Sequence, residues 1–114
     1  MIAIIFEVTP NDGMTDDYLE IAGKMWGLVE QIVRFISVER FQSLTNPDKL
    51  LSISFFESEA AVEQWRQLAA HRSAQNTGRK TLFRDYRLRV LQVLRDYGKD
   101  DCGQAPLDSF DVHG

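Results

Sequence analysis

The sequence predicts a single α+β domain in which four strands and two helices follow the order βαββαβ. Three observations support this prediction: an apolar run that opens the chain, a hairpin of two strands near its middle, and two helical segments between the strands. The chain has 114 residues, of which 44% are hydrophobic and 26% are charged. That size and balance are typical of one globular core.

The spacing of the apolar residues changes between the first strand and the first helix. Residues 2–9 form a short apolar run that ends at the turn cluster Pro-Asn-Asp-Gly at 10–13. From Thr15 to about Ile32 the apolar residues recur every three or four positions, which is typical of an amphipathic helix. The residues of this stripe are Tyr18, Ala22, Met25, Val29 and Ile32.

A hairpin, a second helix and a last strand complete the predicted sheet. Residues 35–44 and 50–57 are strand-like and are joined by the turn cluster at 45–48. A serine at 58 caps a helix that extends to 77, and the last strand covers 82–95. Two helices on one face of a four-stranded antiparallel sheet make the ferredoxin-like arrangement.

In the first and third strands, apolar residues occupy both odd and even positions. Both faces of the sheet are therefore apolar and need to be covered. In the third strand Leu51, Ile53 and Phe55 lie on one face, while Leu50 and Phe56 lie on the other. A sheet with one face in water would alternate cleanly, and two helices can cover only one face. A second copy pressed sheet to sheet is the simplest cover, which predicts a homodimer.

The charge and the residue content argue against several classes of protein. The net charge is −4, which does not suit a nucleic-acid-binding surface. No apolar stretch reaches the roughly 18 residues of a membrane span, and the opening run lacks the basic region of a signal peptide. The single cysteine, Cys102, cannot form an internal disulfide. We therefore expect a cytoplasmic protein with no nucleic-acid or membrane partner, and Cys102 itself indicates no role.

Several motifs follow one another in a family-specific order. The turn Asn-Pro-Asp-Lys at 46–49 precedes the block Phe-Phe-Glu-Ser-Glu-Ala-Ala at 55–61. Trp65 is followed by His-Arg-Ser-Ala-Gln at 71–75, and the last strand carries Tyr-x-x-Arg-Val at 86–90. Together these motifs resemble the antibiotic biosynthesis monooxygenase family, near its small haem-degrading members.

The resemblance covers residues 1–97, which we expect to form the domain, with 98–114 as a polar C-terminal tail. It implies a dimeric α+β barrel in which each subunit keeps a pocket between its sheet and its helices. It also implies a cofactor-independent monooxygenase that oxidises an electron-rich aromatic ligand, of the phenol or quinol type, with O2. The alternatives are a haem-binding or haem-degrading protein and a non-catalytic dimer that binds a small ligand.

His71 and Trp65 are the candidate catalytic residues. By resemblance, haem-degrading relatives use a histidine as iron ligand and a tryptophan on the second helix, whereas Glu7 stands where they have an asparagine. A histidine can act as a general base near neutral pH, and it can equally be a packing residue between helix segments. The cofactor-free reading needs no metal, and His71 is a haem ligand only in the alternative.

The pocket is expected between the sheet and the two helices. Gly23 and Gly27 lie one helical turn apart, which predicts that a strand or a ligand packs closely against them. Phe6, Met25 and Trp65 are the candidate walls and substrate-binding residues, although each of them is also suited to a plain core.

Two charged residues complete the predicted site. Glu7 and Arg87 are candidate substrate-binding residues, because an arginine can hold a phenolate or a carboxylate. The structural alternative is an ion pair between Arg87 or Arg89 of the last strand and Glu7 or Glu39 of the neighbouring strands.

Overall fold

The computed structural model describes residues 1–74, 82–101, 103 and 104, and for 69–74 it describes the backbone alone. The elements are β1 Ile2–Pro10, α1 Thr15–Val29, β2 Phe35–Gln42, β3 Leu50–Phe56, α2 Glu59–Ala74 and β4 Phe83–Gln92. The predicted βαββαβ order is confirmed. Cys102 and most of the predicted tail lie outside the described residues.

The ends of the elements follow from local hydrogen bonds and backbone angles. The amide of Ala61 donates to Oγ of Ser58 at 3.3 Å, which confirms Ser58 as the cap of α2. Helix α1 ends at Val29, earlier than predicted, because Gln31 and Ile32 bond to carbonyls three residues back. Arg34 then adopts a left-handed φ of 73°, which turns the chain into β2.

The sheet has the strand order β2-β3-β1-β4, and all of its pairs are antiparallel. One cross-strand row joins Arg40, Ser52, Phe6 and Leu88 from edge to edge. Because side chains alternate along a strand, the whole row projects from one face, which is the face covered by the helices.

Two packed groups stabilise the helix-covered face. A core cluster at one end contains Ile2, Ile4, Val29, Phe56, Ala61 and Val62. Phe56 is fully buried, and its ring meets Phe35 edge-on at 5.6 Å. The other end holds an aromatic cluster of Phe6, Tyr18, Phe83 and Tyr86, with neighbouring ring centroids 5.7–6.0 Å apart. The space between the two groups is available for a site.

The opposite face of the sheet is apolar, and no helix of the described residues covers it. Half-buried residues of β1 and β3 form its centre, namely Ile5, Leu51, Ile53 and Phe55. Phe41 and Leu91 flank them and are 45% and 40% exposed. The prediction that both faces are apolar is confirmed.

An ion-pair network lies on this uncovered face. Glu7 contacts Arg89 at 3.3 Å and Lys49 at 3.9 Å. The predicted pair between β4 and Glu7 is therefore formed, and within the described residues the arginine that forms it is Arg89.

The close packing predicted at two glycines is wrong. Gly23 and Gly27 are exposed, and a Cβ added at either position would meet nothing within 4 Å. The buried stripe of α1 runs instead through Tyr18 and Val29. Neither of the two helices, within the part of the chain that the structure describes, is long and apolar enough to cross a membrane.

Replacing the helix glycines should stabilise the protein. Gly23→Ala and Gly27→Ala should each raise the free energy of unfolding by roughly 0.5–1 kcal/mol, because alanine favours a helix and restricts the unfolded chain. Urea denaturation at fixed protein concentration measures the change. Gly13→Ala is the matched control, since a Cβ there also meets nothing but φ is 77°, so this variant should lose stability. Destabilisation at Gly23 or Gly27 would show that something packs there after all.

Candidate functional site

A cavity of about 250 Å³ lies between the helix-covered face of the sheet and the two helices. Its floor is made by Ile4 and Phe6 of β1 with Ser52 and Ser54 of β3. Helix α1 contributes one wall, with Tyr18, Ile21, Ala22, Met25, Trp26 and Val29, and α2 contributes Trp65. Ser52 and Ser54 are small where the neighbouring positions of β3 carry leucine and phenylalanine, so the floor is low at the centre.

Three of the predicted site residues come together here. Phe6, Met25 and Trp65 all line the cavity, one from each of β1, α1 and α2. His71 belongs to α2, further along the same helix, but its side chain lies outside the described residues. The predicted position of the pocket therefore agrees with the structure.

Glu7 and Arg87 do not line the cavity. In the register of β1 and β4, Glu7 lies opposite Arg87. The adjacent register pair, Phe6 and Leu88, does line the cavity. Since adjacent side chains on a strand point to opposite faces, both charged residues lie on the uncovered face. The structure thus separates them from the site for which the sequence proposed them.

Arg40 is the cavity residue that the sequence reading missed. It lies on β2, and it is the one lining residue of the described chain that carries a formal charge. Its Nε atom is buried and has no hydrogen-bond partner in the part of the chain that the structure describes. Its Cζ atom lies 6.0 Å from the ring centroid of Trp26, a distance at which a cation and an aromatic face attract.

Tyr18 brings a neutral hydroxyl to the same region. It is 6% exposed and packs edge-on against Phe83 at 5.7 Å. Burial raises the pKa of the Tyr18 phenol above its ordinary value, while the Arg40 guanidinium opposes that rise through its charge and a hydrogen bond. The phenol therefore stays protonated at neutral pH.

Trp26 is held in place from outside the cavity. Its Nε1 donates to Oε1 of Glu30 at 2.7 Å, one helical turn away on the exposed side of α1. This bond occupies the indole donor, and Glu30 itself does not line the cavity. The described lining thus combines apolar and aromatic surface with hydroxyl groups and one cation, which suits a mostly apolar molecule that carries negative charge.

No metal cluster accompanies these groups in the described chain. Among its residues, no set of three or more His, Cys, Asp and Glu side chains is placed to hold a metal ion. The sequence signal that could have located the site is the alternation of Ser52 and Ser54 in an otherwise apolar strand, with Arg40 at the same parity on the adjacent strand.

Solved structures of other proteins share this fold. A variant of SnoaB, described as a cofactor-independent oxygenase from Streptomyces nogalater, aligns with a TM-score of 0.69 at 6% identity, over 83% of this chain and 94% of its own. A variant of MhuD with two manganese protoporphyrin IX molecules bound per active site also aligns with a TM-score of 0.69, at 14% identity, over 86% of this chain and 99% of its own. These likenesses confirm the α+β fold.

Sequence comparison extends the likeness to a family. Residues 1–77 match the family model described as antibiotic biosynthesis monooxygenase. A protein of Pyricularia oryzae named Jasmonate monooxygenase ABM is 41% identical over 93 residues, which are 82% of this chain and 43% of that protein. The chain thus spans less than half the length of this relative. With two thirds of its residues in the family match, the chain belongs to the antibiotic biosynthesis monooxygenase family.

Proposed function

We propose that this protein is a cofactor-independent monooxygenase that oxidises a small, electron-rich aromatic substrate of the phenol or quinol type with O2. The observation that supports it most is the cavity between sheet and helices, which is lined by aromatic side chains and holds one cation. The names of the Pyricularia relative and of SnoaB support the reaction class. Because the chain spans only 43% of the Pyricularia protein, the substrate of that relative is not transferred here.

The chemistry needs no external reductant. A phenolate gives one electron to O2, and the resulting superoxide and phenoxyl radical combine through a new C–O bond. The hydroperoxide then loses water and leaves a quinone, so that one oxygen atom enters the ring and the other becomes water. All four electrons that reduce O2 come from the substrate. The protein contributes a dry cavity, which strengthens electrostatic interactions, and a positive charge that favours the phenolate.

His71 is the proposed base and Trp65 the proposed aromatic wall. His71 follows Trp65 by six positions on α2, which is less than two helical turns. The neutral imidazole would take the phenolic proton, and the indole would stack on the flat substrate. Both roles are proposals, and for His71 the support is its place on the helix that roofs the cavity.

The described cavity does not favour haem. Haem is a broad planar macrocycle, whereas pockets for drug-sized ligands already run to roughly 300–1,000 Å³. The cavity of about 250 Å³ lies below that range. No step of the proposed reaction uses haem.

We also propose that the protein is a homodimer built through the uncovered sheet face. That face carries a contiguous set of apolar residues from three strands, centred on Ile53 and Phe55 and extended by Phe41. In a symmetric dimer this face of each chain would be buried against the same face of the other. The ion pair of Glu7 with Arg89 would lie within or beside the contact.

Filling the cavity should stop the reaction while the protein stays folded. Ser54→Leu places a large side chain in the centre of the floor and should lower oxygen uptake with a naphthoquinol substrate at least tenfold. Ser54→Ala is the matched control, because it removes the hydroxyl and keeps the space, and it should retain most of the uptake. An oxygen electrode with a quinone assay measures turnover. Binding of the quinol without any oxygen uptake by the wild type would instead support a non-catalytic binding protein.

Removing His71 should alter the pH profile of turnover. If neutral His71 is the base, activity rises with pH across the interval of about pH 5–8 where imidazoles titrate, and His71→Ala should flatten that rise and lower kcat. The chain has two histidines, so His113→Ala is the matched control and should keep the wild-type profile. An unchanged profile in His71→Ala would exclude this histidine as the base.

A charge on the uncovered face should split the dimer. Ile53→Glu would place an unpaired carboxylate in the proposed contact, so light scattering should give the mass of one chain for this variant and of two chains for the wild type. Leu44→Glu is the control, because Leu44 is 99% exposed and its replacement should leave the dimer intact. A wild-type monomer at micromolar concentration would contradict the proposal.

A further inference from the structure

A cation without a counter-charge faces the cavity. The side chain of Arg40 lines the cavity, yet none of the five ion pairs in the described part of the chain involves it. Its Nε is buried and has no hydrogen-bond partner among the described residues. Buried polar atoms are almost always hydrogen-bonded. Because a buried, unpaired atom of a charged group is unfavourable, a bound ligand that accepts a hydrogen bond from this Nε would stabilise it.

The neighbouring side chains do not neutralise this charge. The Glu30 carboxylate accepts the indole N–H of Trp26 on the exposed side of α1. Glu39 precedes Arg40 on β2 and is exposed on the opposite face of the sheet. The buried Tyr18 hydroxyl interacts with the guanidinium as a neutral phenol and supplies no full negative charge. The Trp26 ring offers only a weak cation–π attraction at 6.0 Å.

The groups around Arg40 form a receptor for an oxyanion. A guanidinium presents five N–H donors in a planar fork, which matches two oxygen atoms of one acid group. Ser52 lies directly opposite Arg40 in the strand register and adds a hydroxyl, and no carboxylate among the described lining residues would repel an anion. The rest of the described lining is apolar or aromatic, apart from Ser54 and Tyr18.

We propose that Arg40 is the specificity-determining residue of the cavity and that the ligand is a flat organic oxyanion held by its guanidinium. The cavity then binds the ionised form of a small aromatic acid more tightly than the neutral equivalent of the same shape. The oxyanion is a carboxylate or a phenolate, since both present oxygen acceptors to the fork. The proposal names the substrate class of the proposed oxygenase, but the binding itself does not depend on turnover.

Titration calorimetry on the full chain tests the binding. The wild type should bind 2-naphthoate at least tenfold more tightly than 2-naphthamide, which has the same shape and no charge. Arg40→Gln should remove that difference by weakening 2-naphthoate at least tenfold while leaving 2-naphthamide within twofold. Arg66→Gln, an exposed arginine paired with Glu63, controls for the change in net charge and should match the wild type.

The two sources of the oxyanion are separated by pH. Affinity for 2-naphthoate should be flat between pH 6 and 9, because a carboxylate is ionised throughout. Affinity for 2-naphthol should rise with pH, because a phenol ionises only towards about pH 10. If 2-naphthoate binds more tightly than 2-naphthol at every pH, the site is assigned to aromatic carboxylates. If the affinity for 2-naphthol exceeds that for 2-naphthoate at high pH, the site is assigned to phenolates.

Several outcomes overturn the inference. Equal affinity of the wild type for 2-naphthoate and 2-naphthamide does so, as does the absence of measurable 2-naphthoate binding or an unchanged affinity in Arg40→Gln. The wild-type comparison decides even if the variant does not fold. Anion binding without oxygen uptake would sink the proposed oxygenase and leave this inference standing. Oxygen uptake that requires a neutral substrate would contradict this inference and leave the proposed oxygenase standing.

Discussion

Cross-strand pairing at the centre of the sheet governs where the strand residues of the cavity lie. The row Arg40, Ser52, Phe6 and Leu88 is set by the registers of three strand pairs, and its side chains share one face. Because the side-chain period of a strand is two, a slip of one residue in β1 would carry Phe6 to the other face and bring Glu7 into the cavity. Burial of Ile2, Ile4 and Val8 on the helix-covered face favours this register.

Packing on the helix-covered face is uneven, and the site lies where it is least complete. The core cluster around Phe56 and the aromatic cluster around Phe83 each contain large rings in edge-on contact. Between them Ser52 and Ser54 leave a void that costs stability, because its walls lose contacts that a filled core would have. The Nε atom of Arg40, which is buried without a hydrogen-bond partner among the described residues, adds a second cost at the same place. Both unfavourable features lie at the cavity.

Much of the fold could be predicted because it depends on local patterns. The change from period two to helical spacing, the hairpin turn and the Ser58 cap are all properties of short segments, and the structure contains them. The ends of α1 and β4 were placed several residues too late. Helix α1 ends where Gln31 and Ile32 bond to carbonyls three residues back, and Val93 bonds to the carbonyl of Met1 outside the strand ladder. Neither feature has a marker in the residue types.

The site could be predicted only in part, because parity alone does not say which face the helices cover. With apolar residues at both parities of β1, the sequence could not decide between Phe6 and Glu7, and it assigned both to the pocket. Likewise the glycines of α1 do not reveal whether they face a neighbour or solvent. The sequence does not indicate Arg40, because its significance depends on the lack of an ion-pair partner among the described residues, which is a property of the three-dimensional structure.

The two tryptophans of the chain give the cavity a further property. Trp26 and Trp65 are the only indoles in the sequence, and both line the same cavity, one from each helix. Trp26 lies beside a guanidinium and is hydrogen-bonded to a carboxylate, whereas Trp65 packs against the hydrophobic core. All of the indole emission of the folded protein therefore originates at the walls of its site, in two environments of different polarity. Tryptophan fluorescence is therefore an intrinsic probe of whatever occupies the space between the helices and the sheet.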